Sequence, residues 1–136
     1  MESEMNKIDE YKEKLNYDVL ADITSIKSKS MTFNEYQKLA NTTAQYPQLY
    51  AFPYLATGLA SEAGEVAGLV SKGIRGDNGG AVPNYELVKE LGDVLWFVAQ
   101  MATELEVDLE FIAETNVRKL TSRAERGKIQ GSGDDR

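Results

Sequence analysis

Four carboxylates stand in two pairs whose members are three residues apart: Glu62 with Glu65, and Glu90 with Asp93. Residues at this spacing share one face of a helix, where like charges repel each other. Among the residues three or four positions from these acids, only Lys89 is basic. We therefore expect a positive charge from outside the chain between the carboxylates, and a metal ion is the simplest candidate.

The residues around both pairs are apolar at helical spacing, which predicts that the acids lie near the core. Glu62 falls within one apolar row, and Glu90 and Asp93 border a second. The rows are Leu55, Leu59, Glu62, Val66 and Leu69, and Leu87, Leu91, Val94, Val98, Met101 and Leu105. Unpaired carboxylates are too costly to bury. The rows therefore favour a metal site over the alternative, in which the acids simply cover a solvated surface.

The chain has no histidine and no cysteine. A metal would therefore have only oxygen ligands, which favours Mg²⁺, with Mn²⁺ as a possible substitute, over zinc or copper. A divalent ion held by carboxylates attracts phosphate groups and lowers the pKa of water, and a spare carboxylate can act as general base. The same composition excludes disulfides and a thiolate nucleophile, and it fits a reducing cytoplasm.

The 136 residues carry a net charge of -7, which argues against a general affinity for nucleic acid. The acidic start of the chain lacks the apolar run of a signal peptide. No uninterrupted apolar stretch is long enough to span a membrane. We expect a cytoplasmic protein with neither a membrane nor a nucleic acid as partner.

Helical periodicity and turn signals predict an all-α fold, a bundle of four core helices with an N-terminal helical arm. The core helices are expected at about residues 32–46, 54–72, 85–104 and 108–123. Thr32 and Glu35 form a capping-box pattern at the start of the first. Asn84 and Asp108 are expected to cap the third and fourth. The second helix is rich in glycine, which suggests close approach of a partner helix or a ligand.

The chain divides into three predicted segments. Residues 1–30 form the arm, with an amphipathic stretch at 5–26. Residues 31–124 form the main domain, and residues 125–136 are predicted to be a disordered tail. Two helices joined by a short loop pack antiparallel, which would bring the two acidic pairs together.

Several residues are candidates for binding a phosphate-bearing ligand. Asn116, Lys119 and Arg123 share one face of the last helix, and Lys72 follows the first acidic pair. Trp96 lies one turn past the second pair and suits either core packing or base stacking. Lys72 and the nearby Arg75 could equally be ordinary solvated surface charges. The row on the last helix is the stronger candidate, because asparagine in the middle of a helix is otherwise unfavourable. Four aromatic residues suit either a base pocket or packing between helices: Tyr46, Tyr50, Phe52 and Tyr54.

The order of these motifs resembles the MazG-like nucleoside triphosphate pyrophosphohydrolases of the all-α NTP pyrophosphatase superfamily. The resemblance rests on Glu62-x-x-Glu65, then Glu90-x-x-Asp93, then Asn116-x-x-Lys119. The flanking sequences are similar as well, in Leu59-Ala-Ser-Glu-Ala-Gly-Glu-Val-Ala-Gly68 and Lys89-Glu-Leu-Gly-Asp-Val-Leu-Trp-Phe97. The similarity covers roughly residues 32–123.

This resemblance implies a bundle whose core is completed by oligomerisation, as a homodimer or homotetramer. It implies Mg²⁺ held by all four acids, and hydrolysis of a (deoxy)nucleoside triphosphate to the monophosphate and pyrophosphate. One catalytic glutamate, Glu62 or Glu65, would activate water. Lys119, Arg123 and Lys72 would bind pyrophosphate, and Asn116 would contact phosphate or sugar. The biological role would be nucleotide-pool housekeeping.

Two alternatives stay open. A phosphoribosyl-ATP pyrophosphohydrolase would use the same metal chemistry on another substrate. A non-enzymatic helical module would use the acids to dock a basic partner. A di-iron carboxylate protein is excluded in practice, because its Glu-x-x-His motif requires histidine.

Overall fold

The computed structural model describes residues 30–130, except for the side chain of Asn78, and Gly133. The chain divides into two units, 1–31 and 32–136. The amphipathic stretch predicted at 5–26 lies outside the described residues, so the predicted arm stays a prediction.

The second unit is built from four α-helices, and no strand occurs in its described part. The helices are α1 (Phe33–Asn41), α2 (Ala51–Arg75), α3 (Asn84–Glu104) and α4 (Leu109–Glu125). Short 3₁₀ turns at Gln48–Tyr50 and Asp77–Gly80 precede and follow α2. The all-α prediction is confirmed. None of the described helices has the length and apolar character needed to cross a bilayer.

The ends of the helices refine the predicted boundaries. The capping box is present at α1, where the Thr32 hydroxyl accepts from the Glu35 amide at 3.1 Å and Glu35 accepts from the Thr32 amide at 2.9 Å. However, α1 ends at Asn41, about one turn earlier than expected. Helix α2 starts at Ala51, three residues earlier than expected. Pro53 does not prevent this start, because proline is tolerated in the first turn of a helix. Helix α2 continues past Gly73 to Arg75 and ends at Gly76, whose φ of 95° suits glycine.

The side-chain caps predicted for α3 and α4 do not form. Pro83, not Asn84, occupies the N-cap position of α3. Asp108 is the N-cap residue of α4, but its side chain makes no capping hydrogen bond. Instead, α1 caps α4 from across the fold: Gln37 Oε1 accepts from the Leu109 amide at 2.8 Å, and Asn34 Oδ1 from the Glu110 amide at 3.1 Å.

Gln37 also joins α1 to the end of α3. Its Nε2 donates to Thr103 Oγ1 at 3.2 Å and to the Val107 carbonyl at 3.0 Å. Helix α1 therefore fastens the α3–α4 corner through one side chain with three hydrogen bonds. The small core nearby consists of Ala40, Ala99, Ala102 and Leu109.

Helices α2 and α3 are antiparallel, because the start of α2 contacts the end of α3. Gly58 lies against Phe97, and Tyr46, just before α2, binds Glu104. One predicted apolar row of α3 does not form the core, since Leu91 and Leu105 are about half exposed. The small residues Ala99 and Ala102 are buried instead, because α1 and α4 cover the C-terminal half of α3.

Candidate metal centre

The antiparallel pairing of α2 and α3 brings acidic residues from both helices together. Glu62, Glu65 and Glu90 each offer a carboxylate oxygen, and these oxygens lie within 4.8 Å of one another. These three residues are both members of the acidic pair on α2 and one member of the pair on α3. Their convergence agrees with the predicted antiparallel packing of the two helices. We call Glu62, Glu65, Glu90 and Asp93 the acidic cluster.

The charges of the acidic cluster act on each other. The pKa of Glu62 is raised above its usual value, first by desolvation and then by the negative charges of Glu65, Asp93 and Glu90. Asp93 therefore belongs to the same electrostatic environment as the three clustered glutamates. On α1, desolvation and the Asp93 carboxylate together raise the pKa of Tyr36, which places Tyr36 on the Asp93 side of the cluster.

The acids lie at the edge of the α2–α3 seam and not in the core. Glu62 and Glu90 are half-buried, whereas Glu65 and Asp93 are exposed. Glu62, which was expected within the core-facing row, is therefore less buried than predicted, whereas the edge position predicted for Glu90 and Asp93 agrees with their exposure. Lys89, the basic neighbour in sequence, turns toward Tyr85, with its ammonium 5.2 Å from the ring centroid.

An aromatic cluster, formed by Tyr46, Tyr54 and Phe97, lies next to the acidic cluster along the α2–α3 seam. Phe97 lies one turn past Asp93, and its ring fills the space above Gly58, one turn before Glu62. Tyr54 is tilted against Phe97 at 6.3 Å between centroids and stacks on Tyr46 at 5.5 Å. The aromatic residues therefore pack between helices and also border the acidic cluster.

The Tyr46 end of this aromatic cluster is fixed by hydrogen bonds. Its hydroxyl donates to Glu104 Oε1 at 2.7 Å, and Gln48 Nε2 donates to Glu104 Oε2 at 2.7 Å. Desolvation, followed by the hydrogen bond to Glu104 and its charge, raises the pKa of Tyr46 to about 12.

Trp96 has contacts that explain its position without a ligand. Its Nε1 donates to the Ala40 carbonyl at 3.2 Å and to Thr43 Oγ1 at 2.9 Å. Its ring meets Phe97 edge-on at 5.0 Å. Trp96 thus attaches α1 to α3 beside the acidic cluster, and substrate contact by this residue stays a prediction.

The predicted phosphate-binding cations occupy different environments. Lys72 is exposed near the end of α2. The hydrogen bond from Arg75 lowers the pKa of Asp77, and the charge of Lys72 adds a smaller contribution in the same direction. Arg75 pairs with Asp77 at 2.5 Å, so its charge is already engaged. Lys72 lies about two helical turns beyond Glu65, and a phosphate contact by Lys72 stays a prediction.

The predicted row on α4 is split by burial. Asn116 and Lys119 are exposed, whereas Arg123 is buried and donates from Nη2 to the Gly133 carbonyl at 3.1 Å. Gly133 lies in the segment predicted to be a disordered tail. Among the described residues, α4 packs against α1 and α3 and makes no close backbone approach to α2. A substrate role for this row therefore stays a prediction.

Sequence reasoning missed two features of the site. A side chain on Gly58 would overlap the Phe97 ring, whereas Gly64 and Gly68 have nothing within 4 Å of an added Cβ. The glycine content of α2 signalled a close approach but not which glycine required it. Tyr36 was also missed, since its proximity to Asp93 depends on the packing of α1.

The acidic cluster has the ligand chemistry of a Mg²⁺ or Mn²⁺ site. Its donors are all oxygens, three of them converge within 4.8 Å, and the pKa of Glu62 is raised by desolvation and by the other acids. Oxygen donors of this kind suit hard divalent cations. The residues present therefore fit the ion that the sequence predicted.

Comparisons with known proteins agree with this chemistry. The family profile of the MazG nucleotide pyrophosphohydrolase domain matches residues 52–127, a range that contains the whole acidic cluster. The Gene 37 protein of Mycobacterium phage L5 is 44% identical over 110 residues, which cover 74% of this chain and 96% of that relative. No solved structure matches the chain. The protein therefore belongs to the MazG nucleotide pyrophosphohydrolase family.

Proposed function

We propose that this protein hydrolyses (deoxy)nucleoside triphosphates between the α- and β-phosphates, giving the monophosphate and pyrophosphate in a Mg²⁺-dependent reaction. The observation that carries the proposal is the convergence of three carboxylate oxygens within 4.8 Å, on the helices that the family profile covers. Acids this close are stabilised when a divalent ion binds between them.

Each acid has a role in this proposal. Glu62, Glu65, Glu90 and Asp93 would hold Mg²⁺, and Mn²⁺ would substitute for it. The bound ion supplies Lewis acidity toward phosphate oxygens and lowers the pKa of nearby water. Glu62 or Glu65 would take the proton from the attacking water, as a carboxylate at the cluster edge is suited to do.

Other residues would bind the substrate. Lys72, Lys119 and Arg123 are the proposed contacts for the pyrophosphate, and Asn116 for phosphate or sugar. Trp96 would contribute to the base side. The position of the aromatic cluster next to the acidic cluster supports a base site there, since aromatic faces stack on bases of any type.

The protein is proposed to act as a homodimer or homotetramer in the cytoplasm, in nucleotide-pool housekeeping. An apolar stripe on the N-terminal half of α3 supports self-association. Val88, Leu91 and Leu95 are substantially exposed on the side of α3 that faces away from α2, while α1 and α4 cover the continuation of that side. A contiguous exposed apolar surface is typical of an interface.

A panel of NTPs and dNTPs, with phosphoribosyl-ATP included, tests the reaction. Products are followed by ³¹P NMR with Mg²⁺ and with EDTA. We expect pyrophosphate and a monophosphate, no orthophosphate, and no turnover in EDTA or with Glu62→Gln. Turnover of phosphoribosyl-ATP alone would replace the proposed substrate. Absence of turnover on every substrate would refute the proposed hydrolysis.

A further inference from the structure

We propose that Phe97 seated on Gly58 is the spacer that sets the separation of α2 and α3 at the acidic cluster. Both would then be positioning residues for the metal ligands. This inference deepens the proposed function and rests on the metal binding that it assumes. It does not require any particular nucleotide to be the substrate.

The contact lies within one turn of the acids on both helices. Gly58 is four residues before Glu62, and Phe97 is four residues after Asp93. Four residues span about 6 Å along a helix axis. A Cβ added at Gly58 would overlap three atoms of the Phe97 ring. The ring thus lies directly on the α2 backbone, and only glycine allows that approach.

The ring has neighbours that oppose a sideways movement. Trp96 meets it edge-on at 5.0 Å, and the Trp96 indole is itself hydrogen-bonded to α1. A second aromatic neighbour, Tyr54, lies at 6.3 Å between ring centroids and is stacked on Tyr46, which is hydrogen-bonded to Glu104. A methyl group at residue 58 must therefore displace this assembly or separate the two helices.

Separation of the helices would act on the acidic cluster. Glu62 and Glu65 belong to α2 and Glu90 to α3, so their common site exists only while the seam is closed. Metal ligands need support from their surroundings, and disturbing that support typically lowers metal affinity about 10- to 100-fold. We expect a loss in this range for Gly58→Ala.

The test measures Mn²⁺ binding to the full chain by electron paramagnetic resonance, without nucleotide. Gly64→Ala is the matched control. It makes the same substitution on the same helix, two residues from Glu62, with nothing within 4 Å of the added Cβ. Circular dichroism and thermal melts establish that each variant is folded. The control should bind Mn²⁺ within about twofold of wild type, because its methyl group meets only open space.

A second variant separates positioning from loss of folding. In Gly58→Ala/Phe97→Leu, the smaller side chain leaves room for the methyl group. We expect this double variant to recover Mn²⁺ affinity to within about threefold of wild type, since contacting residues couple in this way. An affinity of Gly58→Ala equal to that of Gly64→Ala would overturn the proposal, as would a double variant no better than Gly58→Ala.

The two hypotheses fail in different ways. If the wild-type protein binds Mn²⁺ but releases no pyrophosphate, the proposed hydrolysis is refuted. The spacer proposal is then still tested by comparing the Mn²⁺ affinities of Gly58→Ala and Gly64→Ala. A wild-type protein that does not bind Mn²⁺ at millimolar concentration overturns the spacer proposal, because there is then no metal site to position.

Discussion

Replacing Glu62 by glutamine should reverse the stability order of wild type and variant when metal is added. Desolvation and the charges of three neighbouring carboxylates raise the pKa of Glu62. In chelator, removing one of the repelling charges should stabilise the fold by about 0.5 kcal/mol, the size of a like-charge contact on a helix. With Mg²⁺ at about 100 times its Kd, wild type should gain about 2.7 kcal/mol from binding. The variant should gain little.

The pH dependence of this effect has a definite sign. Because the folded-state pKa of Glu62 is raised, folding favours the protonated carboxyl. That contribution to stability is complete at low pH and is lost as the pH rises from the usual glutamate value, about 4.3, through the higher folded-state value. In chelator the free energy of unfolding of wild type should fall over this window, and Glu62→Gln should remove this part of the fall.

Urea unfolding, followed by circular dichroism with EDTA and with Mg²⁺, measures both effects. Glu125→Gln is the control, since it removes an acidic charge from the exposed end of α4. Its stability should respond to Mg²⁺ as wild type does. A Glu62→Gln variant that is less stable than wild type in EDTA, or that gains equally from Mg²⁺, would refute the electrostatic account of the cluster.

Three further predictions concern the surroundings of the site. Gln37→Ala should lower the free energy of unfolding by about 2–4 kcal/mol, since the Leu109 amide and the Val107 carbonyl each lose a hydrogen-bond partner. The control Gln45→Ala, on an exposed loop, should leave the free energy of unfolding nearly unchanged in the same urea assay. Tyr46→Phe should cost about 1 kcal/mol by removing the hydrogen bond to Glu104; an unchanged melt would mean that water replaces the hydroxyl. Leu91→Lys should shift the protein toward monomer in analytical ultracentrifugation, because it places a charge in the exposed apolar stripe of α3. An unchanged oligomeric state would place the interface elsewhere.

The all-α fold and the meeting of the acidic pairs could be predicted because both depend on local spacing. Residues three and four apart share a helix face wherever the helix is placed. The loop between α2 and α3 is short enough to make these helices neighbours. The signals at Thr32 and Glu35 lie within one turn and were correct for the same reason.

The features that could not be predicted depend on contacts between distant parts of the chain. The cap of α4 comes from Asn34 and Gln37, more than 70 residues before it in sequence. No local pattern distinguishes these amides from others. Gln100 is fully buried, and neither of its amide atoms is hydrogen-bonded within the described part of the chain. Nothing in its neighbouring sequence indicates that burial. Arg123 looked like a surface cation because only the fold brings Gly133 to it.

The way in which Gln37 joins α1 to the α3–α4 corner has a consequence for the order of folding. Helices α2 and α3 form a local hairpin, whereas the bonds of Gln37 to α3 and α4 close chain segments of 66 to 72 residues. Closing a longer chain segment costs more conformational entropy, so contacts between residues far apart in sequence form more slowly. We expect the hairpin that carries the acidic cluster to form first and α1 to dock last. In hydrogen exchange, the amides of α1 should therefore open while those of α2 and α3 are still protected.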